Sequence, residues 1–441
     1  MLRFWRPIIA SVWAAVWISG AAVAAEPLGR PGVDAPELAR LGPHAVGLTS
    51  IVLVDATQPD VALSGGAKAG APSVGRTLPV DLWYPAKARP GAKPVSYADT
   101  LPGEPPLGPA AFTVNGLAVR GAAPDGGRYP LIIVSHGYSG TPAAMTWLTE
   151  NLASKGYVVA AIHHRDPDIS DISKAGQPML RRPLDIAFVA RTLQAQARTG
   201  QLPGVDPDRV AVIGYSMGGY GALTVAGAGL NPTGRAARAA PGGLLQPYLR
   251  GGPKVSDLSI AGLKAVAVMA PAGGGSAFNA WGAQGLAELR TPLLVIGGDR
   301  DRTVGFTDGV RTVFDQAVHA DRYLLVFQNG GHNIGMNAAP AGMRNRLWDL
   351  DWFEDPVWSK DRTAAIQQHM ITAFLDLWVK GDQSRAAYLT TDVPISNDAK
   401  WPSSGPSGYA AISPGGPGAP WKGFPRNHAV GLELHHAPAA P

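Results

Sequence analysis

YPLIIVSHG (residues 129–137), YVVAAI (157–162) and RVAVIGYS (209–216) are short runs in which nearly every residue is apolar. Helical patterns over Thr141–Lys155, Pro183–Arg198 and Met217–Gly227 follow them in turn. A strand that is apolar on both faces must be covered on both, and strands alternating with helices pair in parallel, so this stretch predicts an α/β sheet sandwiched between helices. Outward from it, Val46–Asp55 and Arg76–Pro85 read as an antiparallel pair, and LKAVAVMAP (263–271), TPLLVIGGD (291–299) and RYLLVFQ (322–328) as further strands. A helix is expected near Phe306–Val318. Another is expected after Asp361 as its cap, with Ile366, Met370, Phe374 and Trp378 on one face and Gly381 closing it. The count is about eight strands in one domain over residues 40–385, interrupted by Pro/Gly-rich loops near 86–128 and 231–260 that are expected to form the substrate pocket. Residues 386–441 read as a Pro/Gly-rich tail.

Residues 1–25 read as an export signal: Arg3 and Arg6, an uncharged apolar run from Pro7 to Val23, and small residues before Glu26. Loss of Arg3 and Arg6 with it lowers the formal charge from +5 to +3, and a periplasmic or secreted location is expected. No stable membrane anchor is expected once the signal is removed. With no Cys in the chain, disulfides, thiolate metal sites and a Cys nucleophile are excluded. The small positive charge, without basic runs, makes nucleic acid a poor partner.

Chemistry concentrates at strand ends. Gly214-Tyr215-Ser216-Met217-Gly218 is a G-x-S-x-G pattern placed between a β-branched strand and a helix rich in small residues, the setting that lifts a Ser side chain clear of the sheet. Such a nucleophile needs a base, and the base a carboxylate. Both are expected later in the chain: His332 in Asn329-Gly330-Gly331-His332-Asn333, and Asp301 or Asp299 after the strand TPLLVIGG, with Asp301 preferred and Asp299 bracing the turn. Ser135-His136-Gly137-Tyr138 ends an earlier strand, and the backbone N–H groups of Tyr138 and Met217 are the expected oxyanion donors. His163 and His164 leave a strand as neighbours and so face opposite ways, which argues against a shared metal. Trp348, Trp352 and Trp358 read as packing residues.

LIIVSHGYSGTP (131–142), LASKGYVVAAIHHRD (152–166), GYSMGG (214–219), PLLVIGGDRDRTV (292–304), NGGHN (329–333) and QHMITAFLDLWVKGD (368–382) together resemble the dienelactone-hydrolase-like branch of the α/β-hydrolase superfamily, which includes platelet-activating-factor acetylhydrolase-type enzymes. Around GYSMG and HGYSG the chain is also similar to bacterial cutinase-like polyester hydrolases. The resemblance implies an α/β-hydrolase fold, Ser216 as nucleophile, Asp301 as acid, His332 as base, and Tyr138 with Met217 at the oxyanion. Dienelactone hydrolase itself uses Cys where this chain has Ser, and the acetylhydrolases carry His and Phe where it has Tyr215 and Met217. The expectation is an exported serine carboxylic-ester hydrolase that needs no cofactor or metal. A polyester hydrolase, peptidase or acyltransferase with the same triad is the alternative, and a non-catalytic binding protein is the remotest reading.

Overall fold

The structure is a computed structural model that describes residues 30–58, 75–202, 204–276, 278–401 and 419–441. The expected export signal, residues 1–25, and the segment between the first two strands' ends lie outside the described residues. In chain order the strands are β1 (Ala45–Asp55), β2 (Arg76–Ala86), β3 (Ser96–Leu101), β4 (Ala110–Asn115), β5 (Val119–Arg120), β6 (Tyr129–Ser135), β7 (Val158–Ile162), β8 (Val205–Tyr215), β9 (Leu263–Met269), β10 (Leu293–Gly298), β11 (Arg322–Phe327) and β12 (Leu432–Ala437). The helices are α1 (Thr146–Ser154), α2 (Gln177–Arg198), α3 (Met217–Val225), α4 (Arg235–Ala239), α5 (Gly282–Ala287), α6 (Arg311–Gln316), α7 (Leu347–Asp351) and α8 (Lys360–Trp378).

Ten strands form one sheet in the order β12-β11-β10-β9-β8-β6-β7-β2-β1-β5. The strands from β7 to β11 are mutually parallel, while β2 and β12 run against their neighbours. Alternate side chains divide the core in two, as the pleat requires. Ile132, Val134, Ile213, Met269 and Ile296 pack on the face covered by α1 and α8. Leu131, Ile133, Val212, Val268 and Val295 pack on the opposite face with α2 and α3.

The sheet is wider than the eight strands expected, because the tail expected to be irregular contributes β12, which pairs antiparallel with β11. Trp421 and Phe424, just before it, are buried in the core. The loop expected over 86–128 also holds structure: β3 and β4 form a hairpin whose inward residues Tyr97, Leu101, Phe112 and Val114 are buried. Its Pro and Gly residues obscured this two-residue alternation. Glu150 of α1 ties the insertion down, accepting from the Tyr97 hydroxyl at 2.6 Å and from the N–H groups of Leu117 and Ala118.

Two helix starts also differ from expectation. α2 begins at Gln177, so Pro183 lies inside it. Proline cannot donate to the carbonyl four residues earlier, and the Tyr220 hydroxyl of α3 donates to that Met179 carbonyl instead, at 2.8 Å. α8 is preceded by Ser359, and Asp361 sits in its first turn rather than at the cap. Near residue 306 the chain makes a π-type turn, Phe306–Val310, before α6.

Candidate active site

β7 and β8 lie on opposite sides of β6. Where strand order reverses in this way, the connections leaving the carboxyl ends of the adjacent strands β6 and β8 diverge and open a crevice between them. Ser216, after β8, and the 136–140 loop, after β6, both fall there.

Ser216 makes the whole turn between β8 and α3. Its φ of 53° and ψ of −114° are strained for a residue with a Cβ atom, and backbone bonds hold it: its N–H donates to the Met269 carbonyl and its carbonyl accepts from Ala272, each at 2.9 Å. The flanking glycines are dictated by contact. A Cβ on Gly214 would lie 2.3 Å from the Gly218 carbonyl oxygen, and one on Gly218 would lie 1.9 Å from that of Ser135.

The structure brings Ser216, His332 and Asp301 together. His332 Nε2 is 3.0 Å from Ser216 Oγ, and His332 Nδ1 is 2.8 Å from Asp301 Oδ2. The other oxygen of Asp301 accepts from the N–H groups of Thr303 and Val304 at 2.9 and 3.0 Å. Burial opposes ionisation of Asp301, but the hydrogen bond and charge of His332, with those two N–H groups, outweigh it and hold the carboxyl below its ordinary value. With its Nδ1 proton held by Asp301, His332 presents Nε2 as an acceptor for the Ser216 hydroxyl, so the arrangement can take a proton from Ser216 as that oxygen attacks an electrophile. Asp299 does not join this chain of contacts; it accepts from the Asn329 N–H at 2.6 Å and braces the turn.

Several supports were not legible from the motif. Tyr215, buried, lies beside the His332 ring with centroids 5.4 Å apart and donates its hydroxyl to the His332 carbonyl at 3.2 Å. Gly335 makes room for it, since a Cβ there would lie 2.4 Å from the Tyr215 ring. Asp355 accepts from the Gly331 N–H at 2.7 Å, and Lys360 Nζ donates to the Asn333 carbonyl at 2.7 Å, clamping both sides of His332. Burial pushes Lys360 down to about 7, against the pull of Glu354 and Asp355.

Met217 opens α3, so its N–H is among the donors that a helix start leaves unpaired. Among the described residues neither it nor the Tyr138 N–H donates to a protein acceptor, and both residues line the cleft with Ser216 and His332. The cleft has a volume of about 370 Å³. Its walls are Ile169, Phe278, Met336, Trp348 and Trp352. This corrects two expectations. The segments 86–128 and 231–260 contribute no lining residue, and Trp348 and Trp352 are cleft walls, not packing alone. Both indole N–H groups donate to one acceptor, the Pro102 carbonyl, at 3.0 and 3.1 Å, so the 86–128 insertion shapes the cleft from behind. Trp358 does pack, in the core against Phe327.

His163 and His164 diverge as expected: His163 pairs with Asp81 at 2.8 Å, while buried His164 meets Asp185 at 2.9 Å and Ser135 Oγ at 2.8 Å. No cluster of His and carboxylate residues with metal-binding geometry occurs among the described residues, and no described helix is long and apolar enough to cross a membrane.

Residues 119–242 match a family model described as PET hydrolase-like. Cutinase est1 of Thermobifida alba is 35% identical over 102 residues, 23% of this chain and 32% of that protein. Cutinase cut1 of Thermobifida fusca is 34% identical over the same length, 30% of its own chain. The chain thus spans about a third of the length of the curated relatives it matches. A solved ferulic acid esterase from Streptomyces cinnamoneus superposes with a TM-score of 0.50 at 21% identity, covering 80% of this chain and 93% of that one. A parallel sheet with this strand order, a strained Ser at the end of β8 and these similarities place the chain in the α/β-hydrolase superfamily.

Proposed function

We propose that this protein is a serine carboxylic-ester hydrolase. Ser216 Oγ attacks the ester carbonyl carbon while His332 Nε2 takes its proton. The Met217 and Tyr138 N–H groups receive the negative charge that develops on the carbonyl oxygen, and Asp301 stabilises the imidazolium. Collapse breaks the bond to the alcohol oxygen, which leaves with the proton from His332. Water, deprotonated by the same base, then releases the acid from Ser216. The observation that carries this reading is the unbroken run of contacts from Ser216 through His332 to Asp301 at 3.0 and 2.8 Å, set on a turn whose strain only a rigid backbone sustains. A fluorophosphonate is expected to label Ser216 and stop ester turnover, with amide substrates turned over far more slowly. A folded protein that neither labels nor hydrolyses esters overturns the reading.

The walls argue for a neutral substrate with an apolar group beside the carbonyl. Trp348 is 39% exposed, so part of its ring remains available to a ligand. Trp348→Ala is expected to lower kcat/KM about tenfold for esters with a bulky apolar group, the worth of roughly 1.4 kcal/mol of buried apolar contact. Acetate esters of small alcohols should change little, and a graded ester series measures the difference. The PET hydrolase-like match and the cutinase relatives favour polyester as a second reading, and release of soluble acid from a polyester film, run beside the soluble series, distinguishes it.

Export is part of the proposal. It is supported by the charged start and the apolar run of residues 3–23, and the mature protein is expected to begin at Ala25 or Glu26. N-terminal sequencing that still finds Met1 on the exported protein contradicts it.

A further inference from the structure

Arg182 of α2 carries a cation wholly out of contact with solvent, and the chemistry described above does not touch it. Such a charge is tolerable only if its donors are satisfied. Its partners are specific. Nη2 donates to the Gly137 carbonyl at 2.8 Å, Nη1 donates to the His136 carbonyl and to Ser135 Oγ, and the guanidinium pairs with Asp166, itself almost fully buried. Asp166 in turn accepts from the Ser139 N–H at 3.0 Å. One buried ion pair therefore holds the carbonyls before Tyr138 and the N–H after it.

The Gly137 carbonyl and the Tyr138 N–H belong to the same peptide plane, and in a trans peptide they point in opposite directions. Three donors converge on that carbonyl: Arg182, the Gly140 N–H at 3.1 Å, and His136 Nδ1 at 2.7 Å. His136 is suited to donate a single proton there as a neutral ring, because burial and the neighbouring Arg182 charge hold it well below its ordinary value. With its oxygen drawn to Arg182, the peptide turns its N–H the other way, toward the cleft that Tyr138 shares with Ser216. Ser139 completes the constraint with a φ of 53°, a conformation the Asp166 contact holds in place. α2 also lies close against α3, where Cβ of Arg182 would be 3.0 Å from a Cβ on Gly221. The helix that bears Arg182 is thus packed on the helix that supplies the Met217 N–H.

We propose that the Arg182–Asp166 pair is a positioning device for the oxyanion: it locks the Tyr138 peptide so that its N–H is aimed at the reacting carbonyl oxygen before substrate arrives. The inference rests on the ester-hydrolase reading. An aimed donor acts on the charge that develops in the transition state and not on the ground-state ester, so its loss is felt in kcat and not in KM.

The test compares an oxygen ester with its C=S analogue on the same samples of wild type, Arg182→Lys, Arg182→Gln and Asp166→Asn. Developing charge on the larger sulfur is poorly served by N–H donors set for oxygen, so a defect in aiming lowers the oxygen-ester rate more than the thiono-ester rate. Arg182→Gln is expected to lower kcat for the oxygen ester by about 10²-fold, the scale of one lost oxyanion donor, with KM within a few-fold and the oxygen-to-sulfur ratio reduced. Arg182→Lys keeps the charge but cannot bridge two carbonyls and the carboxylate, and falls between. A smaller folded fraction scales both rates equally and leaves the ratio unmoved. If Arg182→Gln does not accumulate, Asp166→Asn carries the test, since it removes the ion pair while leaving an acceptor for Ser139. A ratio at the wild-type value in the variants overturns the proposal. A wild type without ester turnover or fluorophosphonate labelling instead overturns the functional reading beneath it.

Discussion

Ser216→Ala is expected to lower kcat for ester hydrolysis by about 10⁴-fold or more while the protein stays folded, because a nucleophile, its base and the orienting acid act as a unit and fail as one. The fold should survive because, among the described residues, the side chain of Ser216 bonds only to His332 Nε2. The elbow itself is held by the Ser216 backbone, whose N–H and carbonyl bond to Met269 and Ala272. Alanine brings the same Cβ into the same strained φ of 53°, so the turn is neither relieved nor worsened. The unfolding temperature should therefore move little, and fluorophosphonate labelling should vanish. Turnover retained at more than a few per cent of wild type means that another residue is the nucleophile.

The parallel sheet and the Ser216 turn were legible because buried strands and tight turns restrict which residues can occupy them. Ile132 to Val134 and Val210 to Ile213 are apolar on successive positions since both faces are covered, and Gly214 and Gly218 are dictated by contacts under 2.5 Å. His332 and Asp301 could be ranked because their loops leave the carboxyl ends of neighbouring strands, β11 and β10. What escaped was set by distant contacts. Nothing local to residues 348–352 announces that two indoles will share the Pro102 carbonyl some 250 positions away. The hairpin β3–β4 and the strand β12 are short and lie in Pro/Gly-rich surroundings, where composition masks a two-residue alternation. Arg182 and Asp166 are ordinary surface residue types, and only the folded chain buries them under the Tyr138 peptide.

The choice between the two carboxylates of Gly298-Asp299-Arg300-Asp301 has the next largest consequence. Asp301→Asn is expected to lower kcat by about 10²-fold or more with little change in KM. The amide can hold His332 Nδ1–H through its oxygen, but it carries no charge to stabilise the imidazolium, and its NH2 group favours the wrong tautomer when turned toward the ring. Asp299→Asn keeps an oxygen for the Asn329 N–H, so it should cost no more than about 1 kcal/mol of stability and leave turnover near wild type. The pH dependence separates the roles further. Because the folded protein holds Asp301 below its ordinary value, that carboxylate stabilises the fold above the unfolded-state carboxylate range and loses this contribution as pH falls through its own lowered value. In Asp301→Asn that carboxylate is gone, and the loss of stability on acidification through its lowered value should go with it, read as unfolding temperature against pH. Full activity in that variant, with inactivity in a folded Asp299→Asn, would show that Asp299 orients the base.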